Sequence, residues 1–228
     1  PDGWIGDYNL ETKEAWQKWE IWYTQFILFY AQLAEKHGVE MLCIGTELKN
    51  HVASRPDFFP TLIREIRTIY HGKLIYSANW DSYQDITFWN QLDYIGLSAY
   101  FPINEKQTPE VRYLKKQWKP ISEKLENFSN KYKKKILFTE YGYLSVDGSG
   151  GKTWILEKQV RSLAVNEQAQ ANCYQALYET FDGKSYWAGG FLWKWFPFGQ
   201  GGEGYNERDY TPQGKKAESV LTSWYTKW

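Results

Sequence analysis

The chain is short of cysteine, of histidine, of net charge and of long apolar runs, and each shortage excludes something. Its two cysteines, Cys43 and Cys173, support neither a disulfide framework nor a metal-binding spacing. Its three histidines, His37, His51 and His71, show no metal-ligand spacing either, and two of them fall at expected helix ends, where they cap carbonyl groups. No metal or cofactor is therefore expected. Lys and Arg together number 27, matched by 27 Asp and Glu. That balance removes the basic footprint of a general nucleic-acid or anionic-membrane binder. The apolar runs, such as Phe26–Tyr30 and Met41–Ile44, fall far short of the roughly 20 residues that span a bilayer, so no membrane span is expected. The first residues, Pro1-Asp2-Gly3-Trp4, carry neither an initiator Met nor a signal sequence, and read as the start of a piece of a longer chain.

Aromatic residues are what the chain has in excess: 19% of its 228 residues, including 13 Trp and 18 Tyr. Such rings fill cores, and they also offer a flat apolar face with a polar edge, which suits the C–H faces and hydroxyl rims of sugar rings. Position along the chain has to separate the two uses.

Helical and strand patterns alternate. Trp19, Trp22, Tyr23, Phe26, Tyr30 and Leu33 recur at three- and four-residue steps over Glu14–Lys36, and His37-Gly38 supplies a stop. Val39–Ile44 then reads as a buried strand that ends at Gly45-Thr46-Glu47. Further helices are expected over about Asp57–Tyr70, Glu110–Lys131, Asn166–Phe181 and Lys215–Trp224, with a short one over Ile86–Asn90. Strands are expected over Lys73–Ser77, Asp93–Leu97, Lys135–Phe138 and Gly189–Trp193. Alternation of this kind means right-handed βαβ units and a parallel sheet covered by helices. No linker divides the chain, so residues 1–228 read as a single domain.

No strand is followed by a G-x-G-x-x-G or a Walker-type phosphate loop, which argues against a nucleotide-binding doubly wound sheet. Polar or aromatic residues stand at the strand ends instead: Glu47, Asn79-Trp80, Tyr100, Glu140 and Trp193. That is the layout of a TIM (β/α)8 barrel, in which strand C-termini supply the chemistry. A barrel of this kind has eight strands in about 250 residues. Five are visible here, so the barrel is expected to be incomplete in this chain, with three βα units missing.

Glu47 and Glu140 each follow a threonine at a strand end. Two carboxyls at the ends of different barrel strands can converge; at about 5–5.5 Å apart, one can attack an anomeric carbon while the other protonates the leaving oxygen. A single strand-end Glu more often pairs with a loop Lys or Arg. Two in matched positions, in a set of strand ends rich in aromatics, favour chemistry.

Four strand ends carry a resemblance. Ile44-Gly45-Thr46-Glu47-Leu48, Tyr76-Ser77-Ala78-Asn79-Trp80-Asp81, Tyr94–Pro102 and Phe138-Thr139-Glu140-Tyr141-Gly142-Tyr143 resemble the fourth to seventh strand-end motifs of glycoside hydrolase family 113, retaining endo-β-1,4-mannanases with catalytic Glu on strands four and seven. Asp2–Gly6 with the Trp-rich helix that follows, and Trp193-Lys194-Trp195 with Tyr210–Lys215, resemble the flanking parts of that family in the same order. The resemblance implies that the missing units are the N-terminal three βα units, that Glu47 is the general acid/base and that Glu140 is the nucleophile. It implies that Tyr100 donates its hydroxyl to the nucleophile, that Asn79 and Trp80 line the cleft, and that Trp193 is a stacking platform for sugar. Trp4, Tyr143, Lys194 and Trp195 complete the candidate subsite residues. Core packing is the competing use for Trp193, and satisfying loop backbone groups is the competing use for Asn79.

The expected function is retaining hydrolysis of internal β-1,4 linkages in mannan or glucomannan, with a polysaccharide or oligosaccharide as partner and no nucleic acid. A barrel glycosidase acting on glucan or xylan is the alternative enzyme, and a non-catalytic carbohydrate-binding remnant the alternative outside enzymes. A polymeric substrate implies a secreted, periplasmic or cell-surface location. The glycines of Gly199–Gly204 suggest a mobile flap over the cleft.

Overall fold

The computed structural model describes residues 3–198 and 205–227, so the Gly199–Gly204 stretch lies outside the described residues. The chain divides into two compact units: Pro1–Ser98 with Tyr132–Leu137, and Ala99–Lys131 with Phe138–Trp228.

The first unit begins with a 3-10 turn, Ile5–Asp7, and helix α1, Lys13–Lys36. Thr12 caps α1 by accepting the Ala15 N–H at 3.1 Å, and Gly38 leaves it at φ +63°, a backbone conformation that favours glycine. Strand β1, Met41–Thr46, is followed by two helices, α2 (Lys49–Ser54) and α3 (Phe58–Arg67), and by strand β2, Lys73–Asn79. Two 3-10 turns, Tyr83–Asp85 and Trp89–Gln91, lead to strand β3, Ile95–Ser98. β1 and β2 pair in parallel with Met41 opposite Lys73, as do β2 and β3 with Ser77 opposite Gly96. Gly96 is required there, because a Cβ on it would lie 2.3 Å from the Tyr76 carbonyl oxygen.

The core of this unit follows from the sequence pattern. α3 buries Phe59, Leu62, Ile63 and Ile66, one stripe at helical spacing, and β2 and β3 are buried on both faces. Phe59, Tyr76, Phe88 and Trp89 interlock, with the Phe59 and Phe88 rings stacked at 5.2 Å. α1 departs from expectation. It buries Trp16, Ile27, Ala31 and Ala34, whereas Trp22, Phe26 and Tyr30 of the expected core face stay exposed and pack against one another. The helix is apolar on more than one face, and periodicity alone does not say which face is covered.

The second unit contains helix α4 up to Lys131 of its span Val111–Tyr132, then helices α5 (Thr153–Gln159), α6 (Glu167–Phe181) and α7 (Lys216–Tyr225). Strand β4, Ile136–Tyr141, starts in the first unit and ends in the second, where it neighbours strand β5, Trp187–Leu192; the strand order is β1-β2-β3-β4-β5. Asn166 caps α6 by accepting the Ala169 N–H at 2.9 Å. Phe138, Phe181, Trp118 and Trp187 form the aromatic core, and the hydroxyls of Tyr141 and Tyr178 meet at 2.9 Å within it. β1 and β5, the outermost strands of the order, are not buried like β2, β3 and β4, and Phe191 on β5 is exposed. The result is an α/β fold on a parallel sheet of five strands, the TIM-like arrangement expected from the strand-end residues.

Candidate active site

Glu47 stands immediately after β1 in a left-handed backbone conformation, φ 54°. A non-glycine residue held there is strained, and such strain is retained where surrounding contacts over-determine it. The contacts are present: the Glu47 N–H donates to the Ser77 carbonyl at 2.8 Å, the Leu48 N–H donates to the Tyr76 hydroxyl at 2.9 Å, and the Lys49 N–H donates back to the Glu47 carbonyl at 2.8 Å. They aim the half-buried Glu47 side chain at the indole of Trp4, whose Nε1–H donates to Glu47 Oε2. Trp4, a candidate subsite residue, meets Glu47 through a contact across 43 residues that no local pattern encodes.

Glu47 and Asn79 line the same cavity of about 160 Å³, with Tyr76, Asn50 and Asp85. Asn79 ends β2 and is tied into its own loop: its Oδ1 accepts the Trp80 N–H at 3.0 Å and its Nδ2 donates to Asp81 Oδ1 at 3.1 Å. Bonding within its own loop, the competing use for Asn79, is therefore present, while the residue also lines this cavity. Trp80 is half-buried beside it.

In the second unit, Glu140 is half-buried near the end of β4. Tyr100 donates its hydroxyl to Glu140 Oε2 at 3.1 Å, and the Glu140 carbonyl accepts the Ala99 N–H at 2.7 Å. A phenol that donates to a carboxylate favours its charged form. Tyr100 itself is packed edge-on against Tyr210, whose hydroxyl donates to Glu157 at 2.6 Å.

Trp193 and Trp195 follow β5 and are 44% and 53% exposed. The peptide joining Trp193 to Lys194 is cis. Tyr143 lies elsewhere: it is buried, its ring packs against Tyr174 at 5.1 Å, and its carbonyl accepts a hydrogen bond from Gln170 at 2.8 Å. Among the described residues no cluster of His, Cys, Asp or Glu could hold a metal ion, and no helix is long and apolar enough to cross a membrane.

Each unit thus carries one strand-end carboxylate with an aromatic donor, Trp4 for Glu47 in the first and Tyr100 for Glu140 in the second. Residues 4–215 match the profile of Glycoside Hydrolase Family 113, and the chain belongs to that family. It is a glycoside hydrolase. Among solved structures it is similar to a GH113 β-1,4-mannanase determined as a complex, at 28% identity and TM-score 0.81, over 99% of this chain and 70% of that one. A GH113 β-mannanase from Alicyclobacillus acidocaldarius in complex with ManMIm matches at 27% identity and TM-score 0.81, over 98% of this chain and 68% of that one. A β-glucuronidase of Faecalibacterium prausnitzii matches at 13% identity and TM-score 0.64, over 91% of this chain and 35% of that one, a likeness of fold alone. No curated protein matches the sequence.

Proposed function

We propose that this glycoside hydrolase cleaves internal β-1,4 linkages of mannan or glucomannan with retention of configuration. Glu140 attacks the anomeric carbon as its bond to the leaving oxygen breaks, and Glu47 donates a proton to that oxygen. Glu47 then takes a proton from water, which attacks the same carbon and releases Glu140. The observation that carries the reading is the hydrogen bond from Tyr100 to Glu140, because a nucleophilic carboxylate must remain charged to attack. The exposed Trp193 and Trp195 support sugar stacking, and the β-mannanase names of the similar structures support mannan as the substrate.

Three further βα units complete the barrel in this reading. The exposed faces of β1 and β5 and the uncovered aromatic strip of α1 support it, since open sheet edges are liabilities that proteins cover. Export to the cell surface, periplasm or medium follows from a polymeric substrate.

Hydrolysis of mannan, xylan and cellulose by the full-length protein, beside Glu47→Gln and Glu140→Gln, is the test. Mannan turnover that both substitutions abolish, with the β-anomer released first by NMR, is the expected result. Full activity in both variants overturns the assignment, and turnover of xylan or cellulose alone moves the substrate to another β-glycan.

A further inference from the structure

Trp193 and Trp195 belong to a segment that is neither helix nor strand, yet a sugar platform must hold its rings in one orientation to contribute affinity. What fixes the segment is found far along the chain. Trp193 starts from the Glu140 strand: its N–H donates to the Tyr141 carbonyl at 2.8 Å, and its own carbonyl comes so close to Gly142 that a Cβ there would lie 2.0 Å from it. Beyond that point, support comes from residues 209–213.

Lys194 Nζ lies 3.5 Å from Asp209 Oδ1, with only 1% of the Asp209 side chain exposed. Asp209 is itself immobilised. Its Oδ1 accepts the Tyr210 N–H at 2.6 Å, and its carbonyl accepts Lys215 Nζ at 2.8 Å and the Ser145 hydroxyl at 3.1 Å. Two residues after Lys194, the Phe196 N–H donates to Gln213 Oε1 at 2.7 Å and the Phe196 carbonyl accepts Gln213 Nε2 at 2.9 Å. A primary amide thus replaces the strand partner that Phe196 lacks. Gln213 is oriented in turn by the Thr211 hydroxyl, which donates to the same Oε1 at 2.9 Å. An ion pair at Lys194 and a two-way amide clamp at Phe196 therefore bracket Trp195.

We propose that Asp209 and Gln213 are positioning residues for sugar binding: they hold the Trp193–Phe196 segment so that the two tryptophans face substrate as a rigid pair. The proposal rests on the reading of Trp193 and Trp195 as a sugar platform. Neither residue touches substrate; both act through the segment they hold.

The test uses the full-length protein with Asp209→Asn, Gln213→Leu and Gln213→Glu. Steady-state kinetics on mannohexaose should show KM raised roughly tenfold, the scale of having to order a loosened side chain on binding, with kcat within about twofold and an unchanged pH–rate profile. Gln213→Glu keeps an acceptor for the Phe196 N–H and loses the donor, so its KM should fall between wild type and Gln213→Leu. Incorporation of 5-fluorotryptophan, with the two resonances assigned through Trp193→Phe and Trp195→Phe, supplies a readout that needs no sugar. Both lines should shift or broaden in Asp209→Asn and Gln213→Leu while the melting temperature stays near that of wild type. Unchanged KM and unchanged fluorine lines overturn the proposal, as does a drop in kcat that merely follows lost folded protein. If Gln213→Leu does not fold, Asp209→Asn and Gln213→Glu decide alone. A wild-type protein that neither cleaves nor binds manno-oligosaccharide refutes the substrate reading, and the fluorine lines still report whether the segment is held.

Discussion

Tyr100 Oη lies 3.1 Å from Glu140 Oε2, with the hydroxyl donating and the carboxylate accepting across 40 residues of sequence. The bond joins a residue two positions beyond β3 to the strand carrying the proposed nucleophile. Tyr100→Phe deletes this donor, while the ring and its contact with Tyr210 remain. A hydrogen bond to a charged group contributes about 1.5–3 kcal/mol, so kcat/KM on mannan should fall roughly 10- to 150-fold. Wild-type kcat/KM in Tyr100→Phe would show that the bond has no part in catalysis.

The separate roles of the two glutamates can be read from product stereochemistry. In Glu140→Ala, azide should enter the vacated space and attack the anomeric carbon directly, giving the α-glycosyl azide when the substrate has a good leaving group. In Glu47→Ala the glycosyl-enzyme still forms, so azide should intercept it and give the β-glycosyl azide. NMR of the products distinguishes the two, and exchanged anomers would reverse the assignment. Trp4→Phe, which removes the indole donor to Glu47, should lower kcat about tenfold and leave the azide anomers unchanged.

His51 gives the first unit a defined response to acid. It is almost fully buried among Trp16, Trp19, Phe58 and Phe59, and its Nε2 lies 3.2 Å from Glu20 Oε1. Burial holds its pKa below the usual 6.5 and outweighs the opposing pull of Glu20, while Arg55 adds repulsion. The unfolded chain therefore takes up the proton first, and stability should decline as pH falls through about 6.5. Glu20, whose carboxyl the Arg55 pair and His51 hold below its ordinary range against the cost of burial, contributes a further loss only below about pH 4.5. His51→Gln keeps a donor for Glu20 and removes the titration. Melting temperatures between pH 7 and 5.5 should then lose most of their slope; an equally steep slope in the variant would place the acid sensitivity elsewhere.

Two glycines separate close approach from conformational freedom. Gly142→Ala puts a Cβ 2.0 Å from the Trp193 carbonyl oxygen, and because both partners are backbone, the segments that follow β4 and β5 must move apart. Overpacking of this kind costs about 1–3 kcal/mol or more, and mannan hydrolysis should be lost along with the stability. Gly183→Ala meets nothing within 4 Å and is opposed only by φ +72°, a cost of about 1–2 kcal/mol that should leave kcat and KM unchanged. Denaturant melts with parallel kinetics check both, and an active Gly142→Ala would mean that this close approach is dispensable.

Local pattern carried the elements whose burial is one-sided or complete. α3 and α6 were legible from helical spacing, β2, β3 and β4 from short apolar runs, and the two strand-end glutamates from the residues that interrupt those runs. The short helices α2 and α5 were not legible, because six or seven residues with little or no buried stripe leave no periodic signal. By itself, the sequence determined the alternation of strand and helix and the placing of carboxylates and tryptophans where strands end, because both follow from the residue types next to one another along the chain. The tertiary structure alone decided which face of α1 is covered, that Trp4 serves Glu47, and that Asp209 and Gln213 support a segment more than ten residues away. Those outcomes depend on distances between residues far apart in sequence, and such distances exist only once the chain has folded.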